Sequence, residues 1–457
     1  MTTFFAIFDC RVWQGFEKEL PFFAAPKVFL NRASMKLIFR VAGCLVLLQA
    51  VLFGQEKRLW VLRSPGEMVE YDAATFAVKQ TVKMPAEALQ SPQDIAVNRL
   101  GQILFAPALT QPLSDDDVSS PHKVWFWNGR AATSVDQGLK RESVATGSNQ
   151  AVTDLVPSPL LSVDGAHFFW FGNQERRLQR EDLDLSVTTT WQASRTDVNG
   201  AGREELSTMK LPECACPSGT CEESCPHAEV WAPPNGVGKF FLLTQVVAGK
   251  TGAVYKASAR YQEENGKWTA TPLGEPLQRV LDASGDGSVL LEAIPDTSCC
   301  GWSNQSDDQT VVLNFSNGGK KLVLFDELST YKNPDYDVSF YTSNAALSPQ
   351  LGYVGMTIEA TAKANQAIQL SEQGQANPEE SKQIRKALAD LPAVEVKTVE
   401  DSPRRLVFLP HAIFVGWISE KEMLIVEDHL LVAYTPTSGA RRKSSIRVED
   451  FANVFLR

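Results

Sequence analysis

Residues Arg58–Pro85 read RLWVLRSPGEMVEYDAATFAVKQTVKMP. The apolar run Leu59–Leu62 is followed by a polar turn at Ser64–Gly66 and a second run, Met68–Tyr71. Asp72-Ala-Ala-Thr75 makes another turn, and Phe76–Val82 alternates outward. Short apolar runs separated by tight polar turns predict two or three antiparallel strands. The same unit returns near the C-terminus as Glu422–Val448, EMLIVEDHLLVAYTPTSGARRKSSIRV. A small antiparallel unit repeated through 457 residues predicts a β-propeller, a ring that buries what one sheet cannot bury alone.

Working outward, Pro92–Leu109 gives two strands around a turn at Asn98–Gly101, and Val124–Trp127 with Asn128-Gly129 continues that blade. LLSVDGAHFFWF (Leu160–Phe171) places Asp-Gly between apolar alternations, a strong local hairpin signal. Further hairpins follow at Asn235–Thr244, Asp282–Glu292, Leu347–Met356 and Trp417–Glu427. Their turns stand about 50–70 residues apart, against about 40–50 for a minimal blade, so the loops must be elaborate. The expected fold is all-β, a propeller of about seven blades with six as the alternative. If the first blade lacks a strand, Asn453–Arg457 is placed to supply it and close the ring, which removes exposed sheet edges.

Arg58–Pro85 resembles the YVTN/NHL-type repeat in its order of apolar strand, small-residue turn and alternating strands. LSVDGAHFFWF and WISEKEMLIVED (Trp417–Asp428) resemble the S-x-D-G repeats of TolB-like and peptidase-associated propellers. The resemblance implies a fold and no particular activity, because propellers host many unrelated ones. One segment departs from the pattern. Thr357–Leu391 is rich in Ala, Gln, Glu and Lys, and Asn377-Pro378-Glu379-Glu380 has the makings of a helix start. Ile384, Leu388 and Leu391 share one helical face, so a helical hairpin inserted in a blade is expected over 357–391.

The N-terminus carries an address. Met35–Arg40 is followed by the apolar run Val41–Gly54 and then Gln55-Glu56-Lys57, the pattern of a secretory signal peptide over 35–54. Residues 1–34 read as an over-extended or unstructured start, and 55–457 as the propeller domain. Cys44 follows Arg40 too closely, with most of the apolar run after it, to be a lipid-anchor cysteine. The run is shorter than the about 20 apolar residues of a membrane span, so no stable span is expected after cleavage. The protein is expected in the periplasm or secreted. A net charge of −10, with no basic run longer than Arg441-Arg442-Lys443, argues against a nucleic-acid partner.

The most distinctive residues are cysteines. PECACPSGTCEESCP (Pro212–Pro226) places Cys214, Cys216, Cys221 and Cys225 together beside His227, and Cys299 and Cys300 are adjacent. An even set in an exported chain points to disulfides. One arrangement ties Cys299 and Cys300 to the 214–225 loop, with one bridge inside the loop. The rival is zinc held by Cys214, Cys216, Cys221, Cys225 and His227, although the spacing lacks paired C-x2-C knuckles. A redox module is the third option, and Cys221-x3-Cys225 misses the C-x2-C spacing by one residue. Asp282-Ala-Ser-Gly-Asp-Gly287 faintly matches a calcium loop, but Ala293 stands where a bidentate Glu belongs, and a hairpin turn explains it better.

No nucleophile elbow, zincin motif or P-loop occurs. The histidines are scattered, and the aromatic strand Val124–Trp127 reads as core rather than a sugar-stacking surface. The leading functional expectation is therefore a non-enzymatic exported propeller that binds a protein, peptide or glycan, with no catalytic residue and no cofactor assigned. The alternatives are a lyase- or hydrolase-type propeller enzyme with metal at the central channel, and a metal or redox module at the cysteines.

Overall fold

A computed structural model describes residues 57–89, 93–107, 114–119, 122–146, 149–179, 185–216, 225–249, 252–295, 309–315, 321–326, 340–360 and 388–457, together with Lys382 and Lys386. Residues 1–56, which hold the expected over-extended start and signal peptide, and Cys221, Cys299 and Cys300 lie outside the described residues.

Seven antiparallel sheets follow one another along the chain. The fifth blade shows the plain form: Arg279–Ala283, Val289–Pro295, Gln309–Phe315 and Lys321–Asp326, paired in sequence from inside to outside. The innermost strands of the other blades are Gln93–Val97, Asn149–Leu161, His227–Trp231, Phe340–Leu347 and Ala412–Trp417 in the second, third, fourth, sixth and seventh. The first blade takes its inner strand from the other end of the chain. Val454–Leu456 pairs antiparallel with Leu59–Val61. Arg58 and Arg457 extend this ladder, each N–H donating to the other's carbonyl at 2.6 and 2.8 Å. The expected closure by the tail is what the ring uses, and the number of blades is seven, not six.

The second strand of each blade is buried on both faces because neighbouring blades cover it. Phe168–Phe171 and Phe240–Leu243 are runs of buried residues for this reason, while the outer strand Val78–Lys83 is largely exposed. Among the described residues the core divides into seven apolar clusters, each shared by two adjacent blades. Aromatic pairs cross these interfaces edge to face: Trp60 with Trp127 at 5.7 Å, Phe126 with Phe168 at 5.3 Å, Phe171 with Phe241 at 4.9 Å. Phe126 and Trp127 are thus core, as their sequence setting implied.

The third blade departs from four strands. Its strands Asn149–Leu161, His167–Gln179 and Leu185–Asp197 are 13 residues each, and Lys140–Thr146 and Cys214–Cys216 pair onto the overhang. The helical hairpin expected over 357–391 requires correction. Thr357–Ala360 belongs to the strand Tyr353–Ala360, because Ile358 points into the core between the fifth and sixth blades. Lys382, Lys386 and Leu388 have helical backbone, and the rest of 361–387 lies outside the described residues. The longest helix among the described residues is Asp115–Ser119.

A cationic cavity at the mouth of the channel

In the second to seventh blades each inner strand ends in a turn that leads to the second strand, and these turns ring one mouth of the channel. Ser162-Val-Asp164-Gly165 and Ser284-Gly-Asp286-Gly287 are built alike. The serine Oγ donates to the aspartate at 2.6 Å in both, and accepts the N–H of the residue five positions on at 3.0 Å in both. Gly165 and Gly287 both take φ of 67°, which only glycine adopts without strain. Asp282–Gly287 is therefore a hairpin turn with its preceding strand residue.

Within this ring lies a cavity of about 770 Å³ to which all seven blades contribute. Three of its walls are inner strands with a β-bulge. The register slips between Val280 and Asp282, between Thr342 and Asn344, and between Phe414 and Gly416. The extra residues Leu281, Ser343 and Val415 all line the cavity, consistent with the way bulges re-aim side chains. Cross-blade hydrogen bonds fix these walls. Leu347 N–H donates to Asp282 Oδ2 at 2.8 Å, Asn344 Nδ2 to Phe414 O at 2.8 Å, and Trp417 Nε1 to Ala346 O at 3.0 Å.

The side chains of the lining include one carboxylate, Asp282, and four bases, Lys57, Arg99, Lys239 and Arg457. Lys57 and Arg457 flank the place where the first blade has no turn, since its inner and second strands come from opposite ends of the chain. Arg457 Nε donates to Val97 O at 3.0 Å and Nη1 to Leu456 O at 3.1 Å. Water reaches Asp282, Lys57 and Arg457, which are half-buried by surface area, yet protein encloses them. Burial pushes the Asp282 carboxyl up to about 6, against the N–H groups of Leu347 and Ala283 and the charges of Lys57 and Arg457. Burial also lowers the Lys57 ammonium, opposed by Asp282, and brings the Arg457 guanidinium down to about 10, again opposed by Asp282. An arginine so placed stays positive at neutral pH.

The sequence-predicted cysteines lie elsewhere. Cys214 and Cys225 form a disulfide with Cα atoms 5.4 Å apart, the bridge expected inside the loop. Cys216 ends the short strand that pairs with Leu185–Val187. His227 starts the inner strand of the fourth blade, at the opposite end from the cavity. Its ring faces Glu229 Oε1 and Cys225 O, both at 3.3 Å, and Glu229 is the first cause of its raised pKa. Among the described residues no three His, Cys, Asp or Glu side chains converge to hold a metal.

Asp282, Lys57 and Arg457 were not singled out by the sequence. One signal was present. Asp282 stands two residues before the turn serine, where the corresponding inner-strand positions are Ala96, Leu160, Ala346 and Gly416. A carboxylate at that position breaks the repeat.

No family model matches this chain. No curated protein matches it either. Solved structures do. They include a protein from Lactobacillus plantarum at 10% identity and TM-score 0.42, covering 86% of this chain and 96% of that one. TolB from Acinetobacter baumannii is similar at 14% identity and TM-score 0.32, over 70% of this chain and 67% of that one. An oligogalacturonate lyase in complex with manganese is similar at 11% identity and TM-score 0.40, over 84% and 86%. The seven sheets, not these likenesses, carry the fold.

Proposed function

We propose that this chain is an exported, non-enzymatic propeller that binds a protein, peptide or glycan partner at the cavity mouth. The observation that carries the reading is the cavity: one space of mixed apolar and charged lining, with walls tied by hydrogen bonds between three blades. Its volume falls in the range of about 300–1,000 Å³ usual for ligand sites, and walls fixed in advance reduce the ordering that binding would require. Export is supported by the signal-like segment at 35–54 and by the Cys214–Cys225 disulfide, a cross-link that persists in oxidising compartments. No helix among the described residues is long and apolar enough to cross a membrane.

The test uses the purified full-length protein and a panel of peptides and oligosaccharides, read by thermal shift. Gly285 lines the cavity, and a Cβ added there meets nothing within 4 Å, so the position accepts a side chain and Gly285→Trp is the variant chosen to obstruct the space. A ligand that raises the melting temperature of the parent and not of Gly285→Trp is expected. If every ligand in the panel acts equally on both proteins, the cavity is not the binding site.

A second reading rests on Asp282 and Lys57. Burial moves their pKa values toward each other, the arrangement a proton-transfer site needs. It predicts turnover that Asp282→Asn abolishes while ligand binding survives. Binding without turnover leaves the first reading.

A further inference from the structure

The cavity is unlike the protein around it. The chain is acidic overall, with a net charge of −10, yet the side chains that line this space include four bases and one acid. None of the four cations makes an ion pair with a described carboxylate, and Lys57 makes no side-chain hydrogen bond among the described residues. Elsewhere half-buried basic residues are paired: Arg141 and Arg177 with Asp154 at 2.7 and 3.4 Å, Lys397 with Glu395 at 3.6 Å. Enclosed charge without a partner is unfavourable, and a ligand of opposite sign relieves it. Arg457 also has its guanidinium oriented, with Nε and Nη1 bonded to Val97 O and Leu456 O, and among the described residues Nη2 makes no hydrogen bond.

We infer that the cavity recognises its ligand through an oxyanion, a carboxylate or a phosphate, held by Arg457 and Lys57 with Arg99 and Lys239 at the rim. This rests on the binding role proposed above and adds the chemistry of the ligand. Asp282 opposes the anion and limits its affinity, so the ligand remains exchangeable.

The test is titration calorimetry of the full-length protein with succinate, inorganic phosphate and, as the uncharged control, succinamide. Saturable binding of succinate or phosphate is expected, with none of succinamide. Lys57→Gln and Arg457→Gln should each weaken it about tenfold, the usual worth of one charge-assisted hydrogen bond. Lys239→Gln, an exposed residue, covers the case in which Arg457→Gln fails to fold. Asp282→Asn should tighten binding several-fold. Succinate alone marks a carboxylate ligand, and phosphate alone a phosphorylated one. Binding of neither, or binding that Lys57→Gln and Lys239→Gln leave unchanged, overturns the inference. A neutral ligand blocked by Gly285→Trp and indifferent to these substitutions overturns it too, while the binding role stands.

Discussion

The turns of the fifth and sixth blades occupy the same place in the ring and reach it by different means. In the fifth, Ser284, Asp286 and Gly287 are all local. Asp286 accepts from Ser284 Oγ, Ser288 N and Ser288 Oγ, and Gly287 takes the left-handed backbone freely. In the sixth, Ser348 is kept, but Gln350 replaces the aspartate and Leu351 sits at φ 61° where the glycine should be. Glu420 of the seventh blade supplies the missing carboxylate. It accepts from Ser348 Oγ at 2.9 Å, Gln350 N at 2.7 Å and Gly352 N at 3.1 Å. Glu420 itself stands at the aspartate position of its own turn, where Ile418 occupies the position of the serine that would donate to it. A blade that loses its local solution thus becomes welded to its neighbour. The first blade carries the principle furthest, since it borrows a whole strand.

If borrowing is what holds the ring, the largest effect belongs to the borrowed strand. Phe455 is buried between the first two blades beside Trp60 and Phe105. Phe455→Ala should lower unfolding stability by about 3–5 kcal/mol, as other buried Phe truncations do. Urea denaturation followed by tryptophan fluorescence measures it. A loss below about 1 kcal/mol, the scale of an ordinary surface change, would mean that the closing strand is ornamental.

Glu420→Ala comes next. It leaves three donors without their acceptor, a loss of about 2–3 kcal/mol at about 1 kcal/mol each. The sharper form restores the local solution. In a chain carrying Gln350→Asp and Leu351→Gly, the sixth turn reads Ser-x-Asp-Gly, and Glu420→Ala should then cost about 1 kcal/mol or less. A double-mutant cycle reads the difference. Equal losses in both backgrounds would show that Glu420 does not substitute for the missing aspartate.

The plain blades were legible and the borrowed ones were not. Ser162-Val-Asp-Gly165 and Ser284-Gly-Asp-Gly287 announce their turns because donor, acceptor and left-handed glycine lie within four residues. Glu420 looks like an ordinary surface acid, since its partners are about 70 residues away in sequence and adjacent only after the ring closes. The closing strand was legible for a physical reason: a blade short of a strand leaves an edge, and the tail had an apolar run of the right length. The helical reading over 357–391 ran on through Thr357–Ala360, where the alternation of the strand and the burial of Ile358 prevail over helix-forming composition downstream. The cavity was the least legible part. Lys57, Asp282 and Arg457 are 225 and 175 residues apart in sequence, and no local pattern relates them.

Asp282 links the fifth blade to the borrowed closure, because its charge acts on those of Lys57 and Arg457. Its pKa is raised by burial, so the fold favours the protonated acid. The stability this contributes is complete below the unfolded value near 4 and is lost as pH rises through about 6. Asp282→Asn mimics the protonated form while keeping an acceptor for Leu347 N–H. It should leave stability unchanged at pH 4 and raise it by about 1–2 kcal/mol at pH 8, after discounting the full shift for water in the cavity. Thermal melts at the two pH values decide. An Asn variant less stable at pH 8 would mean that the ionised carboxylate and the two cations hold the ring closed.

The smallest effect tests the turn whose carboxylate is local. Asp286 is exposed, and the Ser284 hydroxyl, followed by Ser288 N–H and Oγ–H, holds its carboxyl down to about 2. The sign is opposite to that of Asp282: its contribution is present above the unfolded value near 4 and lost as pH falls toward 2. Asp286→Ala should cost about 1 kcal/mol at pH 7, like the loss of a helix cap, and progressively less in acid. Arg260 of the fourth blade donates to the carbonyls of Asp286 and Gly287, but the Asp286 carboxylate itself bonds only within its own turn, so the loss from removing it should be confined there. Hydrogen exchange should quicken in Val289–Pro295 and stay unchanged in Tyr353–Ala360 of the next blade. Glu420→Ala should quicken exchange in both the sixth and seventh blades, since its bonds cross between them. A response to Asp286→Ala that spread around the ring would erase the distinction between local and borrowed turns.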